Sequence, residues 1–154
     1  MHTLLYKAVK SHSANIVDIL LDNNADPNIQ DANGITALFI AIKSDFFDIV
    51  DILIEYGVDL NLVTESIYTP LIICILDDNY RMLQMLLYRG ADPNIQNKYG
   101  DTALIYCVKQ NKLDMLKLLL DYNAKRNLQN EEGKTALDIA KEKKYTNIIN
   151  ILTN

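Results

Sequence analysis

The chain has 154 residues, 49% of them hydrophobic and 23% charged, with a net charge of −5; this balance fits one globular domain around one core. A pI near 4.9 argues against a general nucleic-acid binder, which needs a basic stripe to displace counterions, and the absence of any run of 18 apolar residues argues against a membrane span. The opening MHTLLYKAVK has none of the marks of a secretory leader, and two cysteines without disulfide-style spacing point to a reducing, cytoplasmic compartment.

The first predicted element opens at Thr3 with the apolar segment TLLYKAV, and a second apolar segment, IVDILL, follows after a turn that holds His12. It stops at Asn24, within the phrase NNADPN, whose last residue is Asn28. The pattern then restarts. Thr36 opens TALFIAI, which ends near Lys43 and Ser44; IVDILI follows, with a stop at Gly57 and a turn phrase closing at Asn61. Thr69 opens TPLIICI, MLQMLL follows, and the stop falls at Gly90 with the phrase closing at Asn94. Thr102 opens TALIYCV, then come MLKLLL, a stop at Asn123 and Asn127. Thr135 opens TALDIAK, and IINILT completes a fifth round. The five threonines are 33 residues apart, and ADPNIQ recurs letter for letter at 25–30 and 91–96. A period held through five copies without an insertion is the mark of a repeat architecture.

Each copy has a physical reading. The threonine suits an N-cap, and Pro70 stands at the first helical position, where its missing N–H is harmless. The first helix runs about eight residues. The second carries apolar residues on more than one side, as at Ile49, Val50, Ile52, Leu53 and Ile54, and so needs neighbours on more than one side. Gly and Asn alternate at its end because both tolerate the left-handed conformation of a helix stop. The stretch after it, such as NIQDANG at 28–34, has turn chemistry.

With its period of 33, its TPL and TAL openings, its GADPN phrases and a D-x-x-G or N-x-x-G ahead of most threonines, the chain resembles the ankyrin repeat family over essentially its whole length. The resemblance implies a mainly α fold: a solenoid of stacked helix–turn–helix units with projecting β-hairpin loops. It also implies a single domain over 1–154, with repeats at 3–35, 36–68, 69–101 and 102–134 and a C-terminal cap repeat at 135–154. The recurring asparagines 28, 61, 94 and 127 are expected to tie each hairpin together. The alternative, that Asn28, Asn61, Asn94 and Asn127 accept asparagine hydroxylation as in some family members, is set aside for the scaffold role. The sequence departs from the pattern where the family often has histidine: Tyr6, Phe39, Ile72, Ile105 and Asp138 stand there, which implies a greasier inner layer. Ile67 replaces the glycine kept at 34, 100 and 133, so a strained or rebuilt hairpin is expected between the second and third units. Terminal units must be polar on their outer faces, and Thr153 with Thr146, Asn147, Asn150 and Asn154 fits that need at the C-terminal end.

No phosphate loop, G-x-S-x-G or zinc-type cluster is present. His2 and His12, both in the first unit, read as structural or exposed. Cys74 and Cys107, in one slot of adjacent units, read as small buried residues that form no disulfide. The pairs Asp77–Asp78 and Glu131–Glu132 read as solvated surface. No enzyme activity, cofactor or metal is therefore expected. The family's usual role implies a protein-binding module, monomeric, with another protein as partner and neither nucleic acid nor membrane. A targeting arm of a larger enzyme or ubiquitin-ligase adaptor is the alternative, or a host-directed effector of a virus or intracellular microbe acting in the host cytosol or nucleus. The contact surface implied is the concave one, built from hairpin tips and first helices. It gathers Ile35, Tyr68, Leu76 and Tyr99 as apolar or aromatic contacts, with Tyr68 and Tyr99 as anchors. Lys98 and Asp101 stand at the rim, with Lys43 and Lys109 late in the first helices. Net charge runs from −2 and −5 in the first two units, through −1, to +2 and +1 in the last two, which offers steering by a dipolar rod.

Overall fold

The computed structural model describes residues 3–32, 34–63 and 68–153. Ile67, with its expected strain, and the tip residues Asn33, Glu65 and Ser66 lie outside them. The described residues form five helix pairs: α1 (Leu4–Lys10) with α2 (Ala14–Asp22), α3 (Ala37–Lys43) with α4 (Phe47–Glu55), α5 (Pro70–Leu76) with α6 (Tyr80–Tyr88), α7 (Ala103–Lys109) with α8 (Leu113–Asp121), and α9 (Ala136–Glu142) with α10 (Thr146–Thr153).

Every first helix starts in the same way. The hydroxyls of Thr3, Thr36, Thr69, Thr102 and Thr135 accept from the backbone N–H three residues on, at 3.1 to 3.3 Å, which satisfies one orphan donor of the first turn. Each also ends in the same way. The peptide N–H groups of Ser13, Phe46, Asn79, Lys112 and Tyr145 reach back to the carbonyls of Ala8, Ala41, Cys74, Cys107 and Ala140. This closure puts the intervening residue in the left-handed region: His12, Asp45, Asp78, Asn111 and Lys144 have φ between 51° and 59°. The second helices stop at Asn24, Gly57, Gly90 and Asn123, all at positive φ, as expected.

Three of those left-handed side chains also tie one unit to the next. His12 lies flat on Phe46 at 3.8 Å between ring centres and meets the Asp48 carboxylate at 3.0 Å; that hydrogen bond holds the Asp48 carboxyl below its ordinary range. Asp45 accepts from the Asn79 amide, and Asp78 pairs with Lys112 at 2.7 Å. The Tyr56 hydroxyl donates to Asp18 and Asp22, and Arg89 pairs with Asp51.

Stacking buries the aliphatic faces of both helix rows in one continuous core from Leu5 to Leu152. Ile72 and Ile105, in the slot where the family often has histidine, are wholly inside, so the greasier inner layer holds in the third and fourth units; Tyr6 and Phe39 are half-buried in that slot and Asp138 is exposed. Cys74 and Cys107 are buried free thiols, and burial pushes both thiols up. The odd-numbered helices pack on one another more extensively than the even-numbered ones. That row and the projecting turns are the parts for which the family resemblance implies a concave side.

Two expectations change. The projecting loops are tight turns with, among the described residues, no strand; Asp31, Asn97 and Asn130 donate to the carbonyls of Ile35, Asp101 and Lys134 and accept from the N–H groups of Gly34, Gly100 and Gly133. The ends also differ. The last unit is closed by exposed Asp138 and Thr153, but the first unit shows the solvent Leu4, Ile16 and Ile19, 70%, 52% and 59% exposed. Its outer face is that of an internal repeat, not of a polar cap.

Candidate functional site

The described turns are built by asparagine or aspartate in one slot. The Asn97 carbonyl oxygen accepts from the N–H groups of Tyr99 and Asp101, both at 2.9 Å. Asn130 does the same for Glu132 and Lys134 at 3.0 and 3.1 Å, and Asp31 takes the N–H of Ile35 at 2.9 Å. A short side chain that accepts from its own following backbone fixes a turn without a strand partner. Neighbouring turns then stack: Glu131 N–H donates to Tyr99 O at 3.0 Å.

The asparagines 28, 61 and 94 act between units, not within their own hairpin as expected. Their side-chain oxygens accept from the N–H groups of Asp59, Asp92 and Lys125 at 2.8, 2.8 and 2.7 Å. The carboxylates of Asp26, Asp59 and Asp92 in turn accept from the N–H groups of Asn28, Asn61 and Asn94. The phrase ADPN is thus a link in a polar chain along the stack. Asn127 is exposed.

On this frame the second to fourth units carry an aromatic group. The Tyr68 ring meets Tyr106 edge to face, with centres 6.1 Å apart, a favoured arrangement for aromatic quadrupoles. Tyr99, 47% exposed, lies on the next turn. Lys98 stands over the Tyr99 ring at 5.4 Å and Lys109 over Tyr106 at 5.6 Å, within the range of cation–π attraction. Burial, with Tyr68 and Asp101 nearby, holds the Tyr106 hydroxyl above the ordinary phenol range. An open cavity of about 290 Å³ lies among Tyr99, Asp101, Tyr106, Lys109, Asn130, Glu131 and Glu132.

The residues expected here fall into three groups. Tyr68, Tyr99, Lys98 and Lys109 come together as described. Lys43 and Leu76 end α3 and α5, in the same slot as Lys109, and Lys43 is paired with Asp77 of the next unit at 2.6 Å; Ile35 is half-buried at the base of the first turn. Asp101 is a correction. It is 2% exposed and is no rim residue, because Lys109 reaches back along α7 to its carboxylate and the Asn130 amide donates to it at 3.1 Å. Such pairing permits a buried charge. Asp101 is the anchor that holds Lys109 over Tyr106.

Tyr106 was missed by sequence reasoning. Its slot holds Lys7 in the first unit but Ile40, Ile73 and Ile139 in the others, so it reads as core. The one available signal is the hydroxyl: a tyrosine among isoleucines needs a polar outlet.

Among the described residues, no group of three or more histidine, cysteine or acidic side chains could hold a metal ion, and no helix is long and apolar enough to cross a membrane. A family model described as ankyrin repeats, built on three copies, matches residues 4–97 and again 71–154. No curated protein matches the chain.

Proposed function

This chain belongs to the ankyrin repeat family, and from that premise we propose that it is a non-catalytic module that binds a partner protein on its concave face through Tyr68, Tyr99 and Tyr106. Proteins of this family generally mediate binding to other proteins. The observation that carries the choice of surface is the half-exposed aromatic group on the second to fourth units, with its two lysines and open cavity. Tyrosine supplies large, nearly rigid contact area with a polar tip. The buried, unreactive state of Cys74 and Cys107 suits a reducing compartment such as the cytosol.

The test is affinity capture from cytosolic lysate with mass spectrometry, followed by titration of the captured partner against two variants. Tyr99→Ala is expected to weaken binding by about 1–3 kcal/mol with unchanged circular dichroism. Lys117→Ala, exposed on α8 of the back row, is expected to leave it unchanged. Equal affinities for both would place the partner on another surface.

A further inference from the structure

We infer that the partner held at the tyrosine group is an extended acidic segment of a protein, which runs from that group along the odd-numbered helices toward the first unit; this rests on the concave-face reading above. The charge of the helices is divided between the two rows. In the first four units α1, α3, α5 and α7 carry Lys7, Lys10, Lys43 and Lys109 and no carboxylate. Their partners carry two carboxylates on α2, three on α4 and two on α8, against Arg81 and Lys117 alone. Among the helices the acidity thus falls on the even-numbered row, and the row beside the turns is cationic. A front of one sign selects a partner of the other.

One slot sets the line of the segment. It holds Lys10, Lys43, Leu76, Lys109 and Glu142 in the five first helices; Lys109 is half-buried and the other four are exposed. The slot is open in internal units as well as outer ones, so its exposure does not depend on a unit's place in the stack. Among the described residues Lys10 meets no carboxylate within ion-pair distance. Lys43 faces Asp77 at 2.6 Å, an exposed and therefore weak pair, and its ammonium has donors to spare for a second carboxylate. Leu76, 38% exposed, stands between these lysines and the unit of Tyr106 and offers the segment an apolar contact on the way.

The far end of the stack fixes the direction. Glu131, Glu132 and Glu142, on the last turn and α9, are all exposed. Glu132 and Glu142 share Lys134, and Glu131 has no cation partner among the described residues. A partner's carboxylates are repelled there and drawn toward Lys10 and Lys43. Units step by roughly 8–10 Å, so Lys10 lies about 30 Å from the unit of Tyr106, the reach of about nine extended residues. The segment therefore carries its acidic residues over the first two units and an aromatic or aliphatic residue at the tyrosines. A nucleic acid is the lesser match, because a long polyanion also meets the field of the acidic row and a net charge of −5.

A display library of random peptides of about twelve residues, panned on the full chain at low salt, supplies the probes. The selected peptides should be rich in Asp and Glu at one end and carry an aromatic or aliphatic residue toward the other. Their affinity should fall about tenfold in the double variant Lys10→Glu with Lys43→Gln, and fall likewise as salt rises from about 50 to about 300 mM. Glu55→Gln, exposed on α4, should change nothing, and circular dichroism should be the same for all variants. Tyr99→Ala separates this inference from the reading it rests on. Peptides that lose affinity with Tyr99→Ala but ignore the lysine changes, or that show no excess of acid, would keep the tyrosine surface and overturn the acidic partner. Peptides indifferent to Tyr99→Ala, or no enrichment over the bare support, would overturn both. A fluorescein-labelled single-stranded DNA bound as tightly as the peptides, with the same lysine dependence, would overturn the acidic protein segment in favour of nucleic acid.

Discussion

Gly100 and Gly133 occupy one slot of adjacent turns, with φ of 71° and 73°, yet they do different work. A Cβ on Gly133 would meet nothing within 4 Å, whereas one on Gly100 would come within 2.8 Å of both the Asn130 Cα and the Glu131 backbone nitrogen. Gly133→Ala should therefore lose about 1–2 kcal/mol, the left-handed penalty alone. Gly100→Ala should lose a further 1–3 kcal/mol or so, because the next turn must move. Urea midpoints of the two variants measure the difference. Asp101 gives a second prediction at this scale. Asp101→Ala removes the partner of a buried Asn130 amide and of Lys109, so it should destabilise the fold by about 2–3 kcal/mol, a loss visible in thermal melts without any partner present. The burial of Asp101 was not legible in the sequence. Its slot holds Ile35, Tyr68, Asp101 and Lys134, four different chemistries, and what buries it is an asparagine of the following unit.

At the scale of the elements, the helices were legible because each carries its own start and stop: a threonine cap, an aliphatic face, and a residue that accepts left-handed φ. These are local signals, and repetition in register makes each copy a check on the others. The links between elements were not legible, because each lies about one unit away. The Asn61 side chain meets the N–H of Asp92, a pairing that no local pattern shows. Asn61→Ala should cost about 1 kcal/mol, the usual net worth of such a bond. Asn127→Ala, at an exposed position, should stay within about 0.5 kcal/mol of the parent. Chemical denaturation of the two variants compares them directly. The aromatic site was half legible. Tyr68 and Tyr99 stand out at turn positions, but Tyr106 hides in an aliphatic slot, and only the packing of α7 beside the 97–101 turn shows that the three belong together.

For the whole molecule, the graded charge and the two unlike ends give the stack a direction that no single unit has. The polar links described between units have a further consequence, for kinetics. Among the described residues, the side-chain hydrogen bonds that join one unit to another span 29 to 38 positions of chain, from Asn94 with Asn123 to Tyr56 with Asp18. No segment must search for a partner across the length of the molecule, so the entropy of loop closure stays that of a single unit however many units are added. Contacts confined to neighbours also favour rapid folding. A chain in which residues 69–101 are duplicated in register should refold, in stopped-flow experiments, within a few-fold of the parent rate, and its extra stability should appear as slower unfolding. Length in this architecture lengthens the lifetime of the folded state and leaves the time needed to reach it nearly untouched.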